Sequence, residues 1–228
     1  MTLRIPNLSI LKKGDDCTKQ FKQIYENRYT WGTDFPGYMG NIEYYNGQTN
    51  KASFVVDNKL NFKVEGVSSE YIKKVISSQL WELTIHRVKR NFLSVHGENS
   101  FTVADVNEYG TEVLVGGKNE GDRYSIKDGY ISMVYRNIHG KIINIITKSI
   151  LDTGQGYLST SYTSKYLDKS EKEDDNNEGN INYIDDKFIP LYSKGPWVLE
   201  KRMVRKGSSI ESFTFTEMQP FKQDLAFS

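Results

Sequence analysis

The chain has 228 residues, with 30 Lys and Arg against 29 Asp and Glu, for a formal net charge of +1. That balance gives no electrostatic case for nucleic acid as a partner. One Cys cannot build a disulfide framework or a cysteine metal site, and three His limit any all-histidine centre to one. No apolar run approaches the roughly 20 residues of a spanning helix, so no membrane span is expected. Met1 to Lys13 lacks the basic start, apolar stretch and cleavage site of a secretory signal, which points to a cytoplasmic or plastid-stromal location.

Residues 1–14 read as a tail ending at Gly14. Asp15 and Asp16 can cap a helix, because their carboxylates accept from its free N–H groups. Cys17, Phe21, Ile24 and Tyr25 then fall on one helical face, with Lys19, Lys22 and Gln23 away from it, and the helix is expected to end near Tyr29. Pro36 and Gly37 forbid its continuation. From Tyr38 the period changes to two. Tyr38, Gly40, Ile42 and Tyr44 alternate with Met39, Asn41, Glu43 and Tyr45 up to the hairpin signal Asn46-Gly47. Second and third strands are expected over Lys51 to Val56 and from Leu60 through Val64.

Ser68 and Ser69 start a second helix. The stretch to about Ser94 has no Pro or Gly and carries two apolar stripes, one through Ile72, Val75, Ile76, Leu80 and Leu83, the other through Trp81, Ile85, Val88 and Phe92. A helix apolar over so wide an arc is expected to be wrapped by other structure. After residue 99 strands and turns alternate: Phe101 to Asp105, Val113 to Val115, Arg123 to Lys127, Tyr130 to Asn137, the isoleucine-rich 142–146, and Tyr157 to Tyr166. The acidic run 168–179 reads as a solvated loop. Ile181 to Ile184 and Phe188 to Tyr192 read as separate strands flanking Asp185-Asp186, followed by a last hairpin about Lys206-Gly207. Consecutive hairpins favour a meander, and a large twisted meander tends to curl. The expected fold is therefore α+β: a curved, mostly antiparallel β-sheet, or half-barrel, wrapped around a long helix, plus a short N-terminal helix. It would form one domain over 15–219, with tails at 1–14 and 220–228.

Chemistry-bearing motifs are sparse. Gly116-Gly117-Lys118-Asn119-Glu120-Gly121 fails the phosphate-loop pattern and precedes no helix, so its glycines read as turns. His86, Arg87, Lys89 and Arg90 cluster at the end of the long helix, where cations suit the dipole and where an anion or headgroup could also bind. Polar groups among the large apolar residues of Gln79 to Arg87 need partners, and Glu82 is the nearest candidate for His86. His86, His96, His139 and Asp152 could compose an acid–base set only if they converge. Cys17 on an apolar helix face reads as a buried, inert thiol. Tyr25, Tyr29, Trp31, Phe35, Tyr38, Tyr44 and Tyr45 crowd one stretch, as packing or as the lining of an apolar cavity.

Several strings taken together carry a resemblance: Tyr25-Glu-Asn-Arg-Tyr-Thr-Trp31 with Phe35-Pro-Gly-Tyr38, Gln79-Leu-Trp-Glu82 with His86-Arg87-Val88, and Leu114-Val-Gly-Gly-Lys118 with Gly121-Asp-Arg-Tyr124. Ile138-His-Gly140 and Asp152-Thr-Gly-Gln-Gly-Tyr-Leu-Ser159 complete the set. Over roughly 17–218 the chain resembles an uncharacterised domain family found in cyanobacteria and chloroplast-bearing organisms. That resemblance implies no catalytic residues. The element order is also similar, more loosely, to the lipoprotein-carrier fold.

The expected function is thus non-enzymatic. The protein would bind an apolar or amphipathic small molecule, a lipid or pigment, between sheet and long helix. Tyr25, Tyr29, Trp31, Tyr38 and Trp81 would line the site, with His86 and Arg87 at its polar end. No catalytic residue, cofactor or metal is assigned. The alternatives are an assembly factor with a photosynthetic protein partner, and an enzyme with a His/Asp acid–base site.

Overall fold

The computed structural model describes residues 17–138, 140–168 and 180–221. His139, the N-terminal tail, most of the acidic run and the last seven residues lie outside them. The order is α1 (Cys17–Glu26), β1 (Tyr38–Tyr45), β2 (Thr49–Val56), β3 (Phe62–Glu65), α2 (Glu70–Arg87), α3 (Phe92–His96), β4 (Asn99–Asn107), β5 (Gly110–Gly117) and β6 (Arg123–Lys127). Then come β7 (Tyr130–Ile138), β8 (Lys141–Asp152), β9 (Tyr157–Asp168), β10 (Ile181–Pro190), β11 (Trp197–Lys206) and β12 (Ser209–Pro220).

The strands form one antiparallel sheet in the order β3-β2-β1-β12-β11-β10-β9-β8-β7-β6-β5-β4. The run β4 to β12 is the expected meander. Beyond it β1 pairs with β12, Ile42 opposite Phe215 and Tyr44 opposite Phe213. The sheet does not close: β3 and β4 are its edges.

Two expectations are corrected here. The half-barrel wrapped around a long helix is not what forms; the fold is an open twelve-stranded sheet with three short helices. The long helix stops at Arg87 instead of near Ser94, and the sheet does not surround it. Its first stripe is buried through Ile72, Ile76, Leu80 and Leu83, but on its second stripe Trp81 is 56% exposed. The stop has a tertiary cause. Val88 turns extended and forms a bridge with Trp31, whose N–H donates to the Arg87 carbonyl over 2.8 Å. A carbonyl drawn into that bond and a β-branched residue in an extended conformation end the helical ladder. Asn91 then caps α3, its side chain accepting from the Leu93 N–H.

A third difference lies in β10, which is continuous through Asp185-Asp186 rather than two strands. Elsewhere local signals act as read. Ser69 caps α2 by accepting from the Ile72 N–H. Asp128 and Gly129 both take positive φ between β6 and β7, as the two-residue hairpin turn demands.

The chain forms two compact units. Unit 1 comprises the described residues up to Tyr29 with Arg90–Ile184; unit 2 comprises Thr30–Lys89 with Asp185 onward. The core of unit 1 packs Cys17, Phe21, Ile24 and Tyr25 of α1 with Phe92, Phe101, Val113, Val115, Tyr124, Ile126 and Ile131. Cys17 is buried there, and burial pushes its thiol up, so it is inert packing. In unit 2, Trp31 and Phe35 stack with ring centres 4.1 Å apart, and Tyr38, Phe54 and Phe215 continue the aromatic packing edge to face. The crowded aromatics thus divide between two cores, and Tyr45 faces solvent.

Candidate functional site

Helix α2 buries Ile72, Ile76, Leu80, Leu83 and Thr84. Residues spaced by three and four share a face, so Trp81, Thr84, Ile85 and Val88 form one ridge. That ridge, with Leu60, Asn61 and Phe62, lines a groove of about 430 Å³ in unit 2. This volume lies in the range of about 300–1,000 Å³ usual for small-molecule sites. Its walls are mainly side-chain hydrocarbon, and the Thr84 hydroxyl is turned inward to donate to the Trp81 carbonyl over 2.8 Å.

The opposite wall is held by a strained turn. Leu60 sits at φ +66°, a left-handed conformation that a non-glycine residue adopts rarely and at a cost of about 1–2 kcal/mol. The Asp57 carboxylate keeps it there by accepting from the Lys59 and Asn61 backbone N–H groups, at 2.8 and 2.9 Å, and from the Asn61 amide at 2.9 Å. The Leu60 N–H also donates to the Asp57 carbonyl over 3.0 Å. Phe62 is shared with a second, more polar recess of about 440 Å³, lined also by Lys63, Glu65, Lys73 and Ser77.

The far side of α2 carries a buried charge cluster. Arg202 of β11 grips Asp186 of β10 with both ends of its fork, Nε to Oδ1 at 2.8 Å and Nη2 to Oδ2 at 2.7 Å. Its Nη1 reaches α2, donating to Gln79 Oε1 at 3.1 Å and Glu82 Oε1 at 3.0 Å. The side chains of Arg202 and Asp186 are only 5% and 2% exposed. Burial pushes the Asp186 carboxyl above its ordinary value, and the Arg202 guanidinium pulls against that rise. This cluster answers the demand of Gln79 and Glu82 for partners. It ties α2 to the sheet through Arg202.

The residues read as a binding set from the sequence are placed as follows. Trp81 is the one that lines the groove. Trp31 is a buried pin whose indole N–H donates to the Trp197 carbonyl over 3.0 Å. Tyr38 is buried in the same core; burial pushes its hydroxyl up, and the Arg87 charge offsets part of that. Arg87 lies over the Phe188 ring, 5.3 Å from its centre, and His86 is exposed. Tyr25 and Tyr29 belong to unit 1, Tyr25 in its aromatic core and Tyr29 bonded through its N–H to the Tyr157 carbonyl at 2.9 Å. Of the acid–base candidates, His86 is in unit 2, whereas His96 and Asp152 are in unit 1. His96 is buried among rings, and the Asp152 carboxylate accepts from the Gly154 N–H of its own turn at 2.8 Å. His139 lies outside the described residues.

Sequence reasoning missed Leu60, Phe62 and the Arg202–Asp186 pair. An arginine at an inward position of β11 and two aspartates inside a strand-like run were the available signals.

The chain belongs to the family described as "Protein of unknown function (DUF3386)", whose model matches residues 12–221. Among solved structures, a DUF1329 family protein from Desulfovibrio piger is similar at 10% identity, covering 94% of this chain and 96% of that one, with a TM-score of 0.27. No curated protein matches. Among the described residues no helix is long and apolar enough to cross a membrane.

Proposed function

We propose that the protein binds an amphipathic small molecule in the groove beside α2, as a non-enzymatic carrier or sensor. The observation that carries this reading is Trp81, more than half exposed, on the wall of an apolar groove whose other wall holds Leu60 at positive φ. Strained backbone persists where the surroundings enforce it, and it collects at ligand sites. The apolar body of the ligand would lie against Trp81, Ile85 and Val88. Its polar head would extend past Phe62 toward Lys73 in the second recess.

Laurate provides the test. Trp31 is buried and Trp197 half-buried, so Trp81 supplies the most solvent-exposed tryptophan emission. Laurate is expected to shift that emission to the blue in a saturable way, and Ile85→Glu is expected to abolish the shift while leaving the reporter in place. No saturable shift, or the same shift in Ile85→Glu, refutes the proposal.

A further inference from the structure

We propose that unit 1 carries a separate oxyanion site, in which Arg28 and Arg136 supply charged donors and the Tyr25 and Tyr124 hydroxyls neutral ones. Arg28 follows α1 and folds back over it: its Nε donates to the Tyr25 carbonyl at 2.8 Å, and its guanidinium lies 3.7 Å from the centre of the Tyr25 ring. Arg136, on β7, donates from Nε to Asp122 Oδ2 at 2.9 Å, and the other Asp122 oxygen accepts from the Asn137 N–H at 3.0 Å. The carboxylate of Asp122 is thereby satisfied. The terminal nitrogens of both arginines have no hydrogen-bond acceptor among the described residues.

The tyrosines bring the two together. Tyr124 pairs with Val134, two residues before Arg136 and on the same face of β7. Tyr25 and Tyr124 both pack edge-on against His96, with ring centres 5.0 and 6.3 Å away. The rings of Tyr25 and Tyr124 are buried, and their hydroxyls, which have no hydrogen-bond partner among the described residues, are not among the sealed unpartnered oxygens, so both can be reached by a ligand. His96 Nδ1 meets the Asn99 amide nitrogen at 3.0 Å, which assigns its proton to Nε2. The fields of Arg28 and Arg136 both act on His96 and on Tyr124, as expected if the two guanidiniums flank that pair.

Charge and geometry select the ligand. Arg28 and Arg136 bring two positive charges and Asp122, paired with Arg136, one negative charge, so the three together carry one positive charge in excess. Planar forks with free terminal nitrogens suit a carboxylate or phosphate, which accepts several bonds at once. A free ion and the head of a larger molecule share that chemistry.

The test uses inorganic phosphate, acetate and dodecyl phosphate, with calorimetry and the His96 ring resonances as readouts. Saturable binding that moves the His96 resonances is expected. Arg28→Gln should weaken it about tenfold or more, and Arg28→Lys less. Tyr25→Phe, which removes only a hydroxyl, should weaken binding several-fold with an unchanged melting temperature; this keeps the test valid if Arg28→Gln disturbs α1. Comparable affinity for phosphate and dodecyl phosphate identifies a free ion, and much tighter dodecyl phosphate binding a headgroup. No saturable binding of any probe, or binding indifferent to Arg28→Gln and Tyr25→Phe, overturns the proposal.

Discussion

Replacing Arg202 with Met removes the cation that joins Asp186 to Gln79 and Glu82. The substitution deletes two bonds to Asp186, one to Gln79 and one to Glu82, and leaves the Asp186 carboxylate at 2% exposure without its hydrogen-bonded cation, with only the field of Arg87 acting on it. Breaking a buried pair from one side costs about 3–5 kcal/mol. The upper half of that range is expected, because Met fills the stem volume of Arg but makes none of these hydrogen bonds. Urea denaturation at neutral pH measures the loss. The double variant Asp186→Leu with Arg202→Met buries no lone charge and should recover at least half of it. A pH series adds a sign. In the single variant the carboxyl without its cation has a folded-state pKa well above the unfolded one. The folded state then holds the extra proton, and the deficit should shrink as pH falls toward that raised value. A loss under about 1 kcal/mol in Arg202→Met, or a double variant as unstable as the single, would show that the cluster does not hold α2 on the sheet.

Two further outcomes concern unit 1. Burial, Arg136 and Arg28 together hold His96 down to about 4, against an ordinary 6.5. The unfolded chain therefore takes up a proton that the folded chain refuses. Stability is fully present above pH 6.5 and is lost as pH falls toward about 4; His96→Phe should flatten that slope in acid melts, and an unchanged slope contradicts the assignment. Gly156 lies at φ +134° where Tyr157 meets the end of α1, and a Cβ there would stand 2.6 Å from the Asn27 carbonyl oxygen. Gly156→Ala should accordingly cost about 2 kcal/mol or more and weaken the Tyr157 N–H bond to that carbonyl, seen as faster amide exchange at Tyr157.

The boundary between what sequence and tertiary structure decide runs through individual elements. The face of α1, the Ser69 cap, the alternation in β1 and the Asp128-Gly129 turn follow from nearest neighbours along the chain. Spacing and turn chemistry act within a few residues, so they were legible without coordinates. The pairing of β1 with β12, the stop of α2 at Arg87 and the continuity of β10 depend on partners far away in sequence. Arg202 and Glu82 are 120 residues apart, and no local pattern announces that an aspartate inside a strand will find that arginine. The candidate site divides the same way. Trp81 stood out as an aromatic on a helix stripe. Whether it was buried or exposed depended on what covered α2, and Leu60 joined it through a turn whose strain appears only in the fold. The even charge balance gave no electrostatic case for a nucleic-acid partner. Only the tertiary structure showed that two of those charges are locked in a buried pair, while Arg28 and Arg136 keep donors to spare.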